Sequence, residues 1–370
     1  MGQNRIRSIL LLTYHFPPEI GGIQTRISKY VDIFSKKGID IDVFVVSNNV
    51  NQNICCSTAG IRVKYVSGKF RFIVPVIFDV ARTIYRRNVD VVHVFTGAST
   101  VLGCSILFLG KILHKKTVTS FFGSEDFASH SPLRRLFRVT SLTLSDGIAT
   151  NSVHTMNHLP SKFAKKAQVI LGGSDIHSVT DYDADNKIVV LYVGRLVKRK
   201  GVDDLIKAFK IVRSKVPDVT LEIVGDGPER NNLENLVSSL NLNDSVLFRG
   251  VCTGYKLQNA YNRSYVVVLP SKKTPTDFAD EGLGLSLIEA SMFGKPLVGT
   301  RNGGIPEIIE DGYNGFLVNE ADPISLADVL IRLINDRRLA KSLGRNSYVR
   351  AKKLFTWESS AERLLRLYSD

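Results

Sequence analysis

Short, uninterrupted apolar runs alternate along this chain with longer stretches whose apolar positions recur every three to four residues. In the first half the runs are residues 9–13, 41–46, 89–94 and 116–120, and residues 23–36 carry the longer period between the first two. A short apolar run without in-and-out alternation reads as a strand covered on both faces, and the longer period as one face of a helix. The second half starts the pattern afresh, with runs at 188–193, 219–224, 246–248 and 265–269 and helical periods over 202–212 and around 229–240. Strands alternating with helices predict an α/β architecture built on parallel sheets. Residues 324–370 read as helices and end in an amphipathic segment containing Trp357.

The restart at residue 188 predicts two doubly wound, Rossmann-like domains, and a length of 370 residues agrees, because one core rarely serves a chain beyond about 250–300 residues. Gly172-Gly173-Ser174-Asp175 and the polar stretch 181–186 form the turn-rich connection, which places the boundary at 173/174. Residues 9–12 are too short an apolar core for a secretory signal, and Ile6 stands where myristoylation after Met1-Gly2 requires Ser or Thr. The longest apolar stretch, 97–113, is broken by Lys111 and rich in Gly and Ser, so it reads as a buried helix and not a membrane span. Cys55, Cys56, Cys104 and Cys252 form no C-x-x-C and no zinc spacing, which suits a reduced cytosolic compartment and implies no structural metal. With 44% hydrophobic and 23% charged residues, disordered and fibrous classes are excluded.

Charge separates the halves. Residues 1–173 hold 22 Lys and Arg against 9 Asp and Glu, a net of +13, whereas the remainder, 27 against 26, is close to neutral. The basic clusters, among them Arg82-Arg86-Arg87, Lys115-Lys116 and Arg134-Arg135-Arg138, are the footprint of an acidic partner. No helix-turn-helix, zinc-finger or aromatic RNP-like pattern accompanies them, so nucleic acid is not the expected partner. Several clusters adjoin apolar segments, Phe70-Phe72-Ile73-Val74 beside Arg71 and Leu133-Leu136-Phe137 among the arginines, which fits an anionic membrane surface; the plainer reading is a solvated basic face.

In doubly wound sheets, ligands bind beyond the carboxyl ends of the strands, where loops enter helices and unpaired amides favour phosphate. Two loops have that setting, residues 15–22 after the first strand and 194–201 after the strand 188–193. G-x-G-x-x-G does not follow the first strand and no P-loop signature is present, which argues against dehydrogenase and P-loop readings. The densest chemistry lies in 270–307. Glu281 and Glu289 stand eight residues apart across Gly282-Leu283-Gly284-Leu285, a glycine-rich entry into a helix. Gly284 and Leu285 would present amides to a diphosphate, Glu289 could accept from ribose hydroxyls and Glu281 from a sugar hydroxyl, with Arg195 and Lys200 supplying cations. By spacing alone, a capped helix with solvated glutamates explains the same residues equally well.

Taken in order, Pro17-Pro18-Glu19-Ile20-Gly21-Gly22, Val193-Gly194-Arg195-Leu196 with Lys200-Gly201, Val224-Gly225-Asp226-Gly227-Pro228-Glu229, Pro270-Ser271, the block Glu281–Glu289, Gly294-Lys295-Pro296, Gly303-Gly304-Ile305-Pro306-Glu307 and Gly312-Tyr313-Asn314-Gly315 resemble family 4 of the retaining glycosyltransferases, over nearly the whole chain. The resemblance implies the GT-B fold, two Rossmann-like domains facing a central cleft. An acceptor- and membrane-facing domain would span 1–173 and a nucleotide-sugar donor domain 174–353, with a closing helix from about 354 to 370 packed back on the first. It implies that Arg195 and Lys200 hold the donor diphosphate and that Glu281 lies near the reaction centre. Glu289 would bind the ribose, and Gly225, Val251, Leu283, Gly284 and Leu285 would border the donor. Gly21 and Gly22 would approach the donor phosphates from the first domain.

One position departs from the family pattern. Phe122 in Phe121-Phe122-Gly123 stands where the family often has histidine, which leaves Glu125 or Asp126 as acceptor-side candidates, although a helix cap at Ser124 accounts for those acids too. His93, inside an apolar run, reads as a core histidine. The resemblance implies hexosyl transfer with retention from a UDP- or GDP-sugar, without metal or other cofactor, since Asp181, Asp183 and Asp185 fall in the polar connection. The expected acceptor is a lipid-linked oligosaccharide, glycolipid or lipopolysaccharide-type molecule. That places the protein in the cytoplasm, peripheral on the inner face of the membrane. A sugar-nucleotide 2-epimerase of the same fold, or a non-catalytic binder of anionic lipid or nucleic acid, are the alternative readings.

Overall fold

The computed structural model describes residues 6–19, 21–47, 55–58, 60–67, 73–123, 127, 131–175, 188–274 and 279–370. Glu125, Asp126, the segment 70–72 and the polar connection 181–186 therefore lie outside the described residues. The chain forms two compact units, Met1–Leu171 with Trp357–Asp370, and Gly172–Thr356.

The first unit is built on a sheet of β1 (Ser8–Thr13), β2 (Asp40–Ser47), β3 (Cys55–Thr58), β4 (Ile61–Ser67), β5 (Val91–Val94), β6 (Lys116–Phe121), β7 (Gly147–Thr150) and β8 (Ala167–Val169). Their spatial order is β3-β4-β2-β1-β5-β6-β7-β8, parallel throughout except for β3, which pairs antiparallel with β4 at the edge. All six residues of β1 are buried, as a strand covered on both faces requires. The helix Gly22–Lys36 turns Ile27, Tyr30, Val31 and Phe34 inward at helical spacing. It packs against the last helix, Trp357–Ser369, so residues 330 positions apart meet: the Tyr30 hydroxyl lies 2.6 Å from that of Ser360, and Tyr30 meets Trp357 edge to face. Leu354, expected to open this closing helix, instead ends the preceding one, Arg337–Leu354. The helices Ile73–Arg87, Val101–Ile112 and Pro132–Leu144 pack side by side in that order, and their inward residues join the strands in one hydrophobic core.

His93 belongs to that interior. It is fully buried in β5, with Nδ1 2.6 Å from the Tyr368 hydroxyl and Nε2 2.8 Å from that of Ser120, and burial pushes its imidazole down to about 3. Phe122 stacks on Phe95 with ring centres 4.8 Å apart, and the buried guanidinium of Arg26 lies over the Phe122 ring. Phe122, which stands where the family often has histidine, is thus part of aromatic packing with a cation on its face.

The second unit carries β9 (Ile188–Val193), β10 (Val219–Val224), β11 (Val246–Gly250), β12 (Val266–Leu269), β13 (Leu297–Thr300) and β14 (Gly315–Val318), all parallel, in the order β11-β10-β9-β12-β13-β14. Sequence order reverses between the neighbours β9 and β12. That is the switch point at which the loops leaving two adjacent strands diverge and open a crevice at their carboxyl ends. The loop after β9 leads through residues 194–201 to the helix Val202–Lys215, and that after β12 leads to Leu285–Met292.

Candidate functional site

The loop after β9 is tied down on three sides. The buried Tyr192 hydroxyl donates to the Arg195 carbonyl at 2.9 Å, the Leu196 amide donates to Asp226 O at 2.9 Å, and the Lys272 amide donates to Arg199 O at 2.8 Å. A short 3-10 turn, Lys198–Lys200, ends on Gly201 in the left-handed region and sends successive side chains in different directions. Arg195 and Lys198 are exposed, whereas Arg199 and Lys200 are largely covered and face Glu281.

Glu281 is 7% exposed, and its carboxylate is ion-paired and hydrogen-bonded to Lys200, lies 3.8 Å from Arg199 Nη1, and accepts from the Ser271 hydroxyl at 2.8 Å. Burial alone pushes this carboxyl up, but the charges of Lys200 and Arg199 and the hydrogen bonds from Lys200 and Ser271 outweigh it and hold the group below the ordinary carboxylate range. The backbone of Glu281 is held at both ends. Its amide donates to Asn302 Oδ1 at 2.7 Å, and its carbonyl accepts from the Gly304 amide at 2.8 Å. The Asn302 amide group, itself 1% exposed, donates in turn to Asp280 at 3.2 Å and Glu320 at 3.0 Å. Residue 303 must be glycine for this clamp to close, because φ is 55° and a Cβ there would collide with the Glu281 carbonyl oxygen.

From Glu281 the chain passes Leu283, which is buried, to Gly284, whose φ of 93° starts the helix Leu285–Met292. The first amides of an α-helix have no partner within it and carry its positive dipole end. Glu289 lies one turn into this helix and accepts from the Tyr261 hydroxyl at 2.6 Å. Burial raises the Glu289 carboxyl and the Tyr261 bond partly offsets the rise, while burial and the Glu289 charge push the Tyr261 hydroxyl well above its usual range. Gly225, with its amide donating to Gly250 O at 2.8 Å, and the exposed Val251 form the rim beyond β10 and β11.

The second unit thus brings Lys200 against Glu281 and leaves Arg195 on the exposed side of the same loop. Gly21 and Gly22 belong to the first unit, at the start of the helix Gly22–Lys36, and Glu125 and Asp126 lie outside the described residues. Arg199, Asn302 and Tyr261 were not named from the sequence. Arg199 could have been suspected from its place beside Lys200 and Asn302 from its place before Gly303-Gly304; Tyr261, 28 residues from Glu289, left no local signal.

The family model described as glycosyl transferases group 1 matches residues 180–350, which contain all of these second-unit residues. Over those residues the chain resembles the group 1 glycosyltransferases. The whole chain resembles an uncharacterized glycosyltransferase of Methanocaldococcus jannaschii, 27% identical over 370 residues and covering 99% of both chains. It also resembles a protein of Mycolicibacterium smegmatis named GDP-mannose-dependent alpha-(1-6)-phosphatidylinositol monomannoside mannosyltransferase, 26% identical and covering 98% of each chain. Among solved structures, Anabaena HepE in complex with UDP and glucose superposes with a TM-score of 0.79 at 19% identity, over 99% of this chain and 100% of that one. The fold of this glycosyltransferase is GT-B, two parallel-sheet α/β domains.

Proposed function

We propose that this glycosyltransferase moves a hexose, with retention, from a UDP- or GDP-sugar to a lipid-linked oligosaccharide, glycolipid or lipopolysaccharide-type acceptor at the cytosolic membrane face. The observation that carries the donor half is the set of covered cations, Lys200 and Arg199, on a buried glutamate at the switch point of the second sheet, one short segment before a helix N-terminus. That arrangement suits a diphosphate on the amides at Gly284 and Leu285, a ribose on Glu289 and a sugar hydroxyl on Glu281, with Gly225 and Val251 beside the base. The acceptor half is supported by the charge of the first half of the chain, and by relatives named for phosphatidylinositol mannoside substrates.

In this reading the bond from the anomeric carbon to the diphosphate breaks as the acceptor oxygen attacks from the same face, and the acceptor proton passes to a diphosphate oxygen. Arg195, exposed on the loop, swings onto the diphosphate, and Lys200 is shared between Glu281 and the growing negative charge. These protein cations take the part that a metal plays in other transferases, so transfer proceeds without one. A panel of UDP-sugars, GDP-sugars and free diphosphates, scored by thermal shift with and without EDTA, tests the proposal. One nucleotide class should raise the melting temperature by several degrees, undiminished by EDTA, because a ligand that binds only the native state stabilises it. A shift that vanishes with EDTA overturns metal independence, and no shift with any nucleotide overturns the donor assignment.

A further inference from the structure

A helix lying on a sheet needs one apolar stripe, toward the sheet. The three helices that cover one face of the first unit have two. Ile73–Arg87 buries Val76, Val80 and Ile84, yet also presents Val74, Phe78 and Tyr85 outward, and these recur at helical spacing on a single stripe. Its neighbour Val101–Ile112 buries Leu102, Ile106 and Leu107 and exposes Val101, Phe108 and Ile112; the next, Pro132–Leu144, exposes Leu133 and Leu136. Phe78 is 72% and Tyr85 84% exposed, so these side chains are not partly sheltered core. Of the fourteen large hydrophobic residues exposed among the described residues, eight lie on these three adjacent helices. An apolar concentration of that kind on a water-soluble surface marks a place where something else covers it.

Charge identifies the cover. Arg82 and Arg86 sit beside the outward stripe of the first helix and Arg134 and Arg135 between the leucines of the third, whereas Arg87 pairs with Asp42 and Lys111 with Asp146. The single acid on the three helices is Asp79, and it is ion-paired to Lys64. A second copy of this face would bring like charges together, whereas aromatic and aliphatic side chains ringed by arginine match the boundary between anionic headgroups and acyl chains. We propose that this three-helix layer is the surface by which the protein docks on an anionic lipid bilayer, with Phe78, Tyr85, Phe108, Ile112, Leu133 and Leu136 entering the interface and the arginines meeting lipid phosphates. The proposal deepens the lipid-acceptor reading given above, on which it rests for its biological sense but not for its physics.

The apolar component distinguishes it from a solvated basic face, because electrostatic attraction is screened by salt and apolar insertion is not. The test is co-sedimentation of the full chain with phosphatidylcholine vesicles with and without phosphatidylglycerol, at low and high salt. The wild type should bind only the anionic vesicles and keep part of its binding at high salt. Phe78→Ser with Phe108→Ser should lower partition roughly tenfold and abolish the salt-resistant part, at an unchanged melting temperature, since both side chains are exposed. Arg134→Glu with Arg135→Glu should lower binding at low salt by a similar factor. Wild-type binding unaffected by the serine variant, or no vesicle binding at all, overturns the proposal, as does a solution dimer that the serine variant dissociates. Vesicle binding without sugar transfer to any lipid-borne acceptor leaves the docking face standing and overturns the acceptor reading; transfer to a detergent-dispersed acceptor without vesicle binding does the reverse.

Discussion

Replacing Lys200 by methionine keeps most of the side chain's volume and removes its charge, which leaves the Glu281 carboxylate buried with Arg199, at 3.8 Å, as its nearest remaining cation. Breaking a buried pair from one side typically costs ~3–5 kcal/mol, because the orphaned charge keeps its desolvation penalty. The wild-type Glu281 carboxyl is held below its ordinary value, so it contributes stability that is present above the unfolded-state value and is lost as pH falls through the folded one. In Lys200→Met that carboxyl rises and protonates more readily. The stability gap between variant and wild type should therefore be widest at neutral pH and narrow toward about pH 4, where the unfolded carboxyl also binds its proton. Lys200→Met with Glu281→Gln should recover much of the stability and none of the transfer activity. Denaturant titrations of the wild type and the two variants at both pH values measure this, and a gap independent of pH would show that the pair is not what stabilises the loop. The sequence made Glu281 and Lys200 legible through motif spacing. It did not show that Arg199 and not Arg195 turns inward, because that choice is made by the turn at Lys198–Lys200, by the hydroxyl of nearby Tyr192 and by a tie to Lys272 from a distant part of the chain.

At the scale of elements, the helix Leu285–Met292 joins two functions through its spacing, a dipole end at Gly284 and a carboxylate at Glu289 about one turn in. Tyr261, from the helix Gly254–Arg263, holds that carboxylate in place. Tyr261→Phe removes a hydroxyl and almost no volume. If Glu289 binds the donor ribose, the variant should raise the KM for the sugar nucleotide several-fold with kcat nearly unchanged, since the ribose is bound alike in ground and transition states. Steady-state kinetics against the cognate donor decide it, and a fall in kcat at constant KM would place Glu289 at the reacting bond instead. The element pattern shows why parts of the fold were readable. β1, β2, β9 and β10 are six to eight residues long and apolar enough to stand out. β7, β8, β13 and β14 are three or four residues long, too short for any period to emerge, and parallel pairing with neighbours supplies what their sequences lack.

For the molecule as a whole, the decisive feature is that the chain leaves the first unit at Leu171, builds the second, and returns at Trp357 to finish the first. The returning helix contributes Trp357, Leu364, Leu367 and Tyr368 to the interior, closes the Tyr30–Ser360 hydrogen bond and caps His93 through Tyr368. Ending the chain after Thr356 would expose Tyr30 and Phe34 and leave the His93 Nδ1 to water. Losing several buried side chains at about 1.5–3 kcal/mol each takes away a large share of the stability of a domain this size. The second unit, Gly172–Thr356, loses nothing of its own by the cut. Calorimetry of the truncated chain should therefore show the first unit's transition lowered by ten degrees or more, or absent, and the second unit's retained. Addition of the cognate nucleotide should then raise only the retained transition, because every residue proposed to hold the donor's base, ribose and diphosphate, apart from Gly21 and Gly22, lies in that unit. A nucleotide shift that disappears with the truncation would mean that the first unit supplies most of the donor's binding energy, and the assignment of donor recognition to the switch point of the second sheet would fall with it.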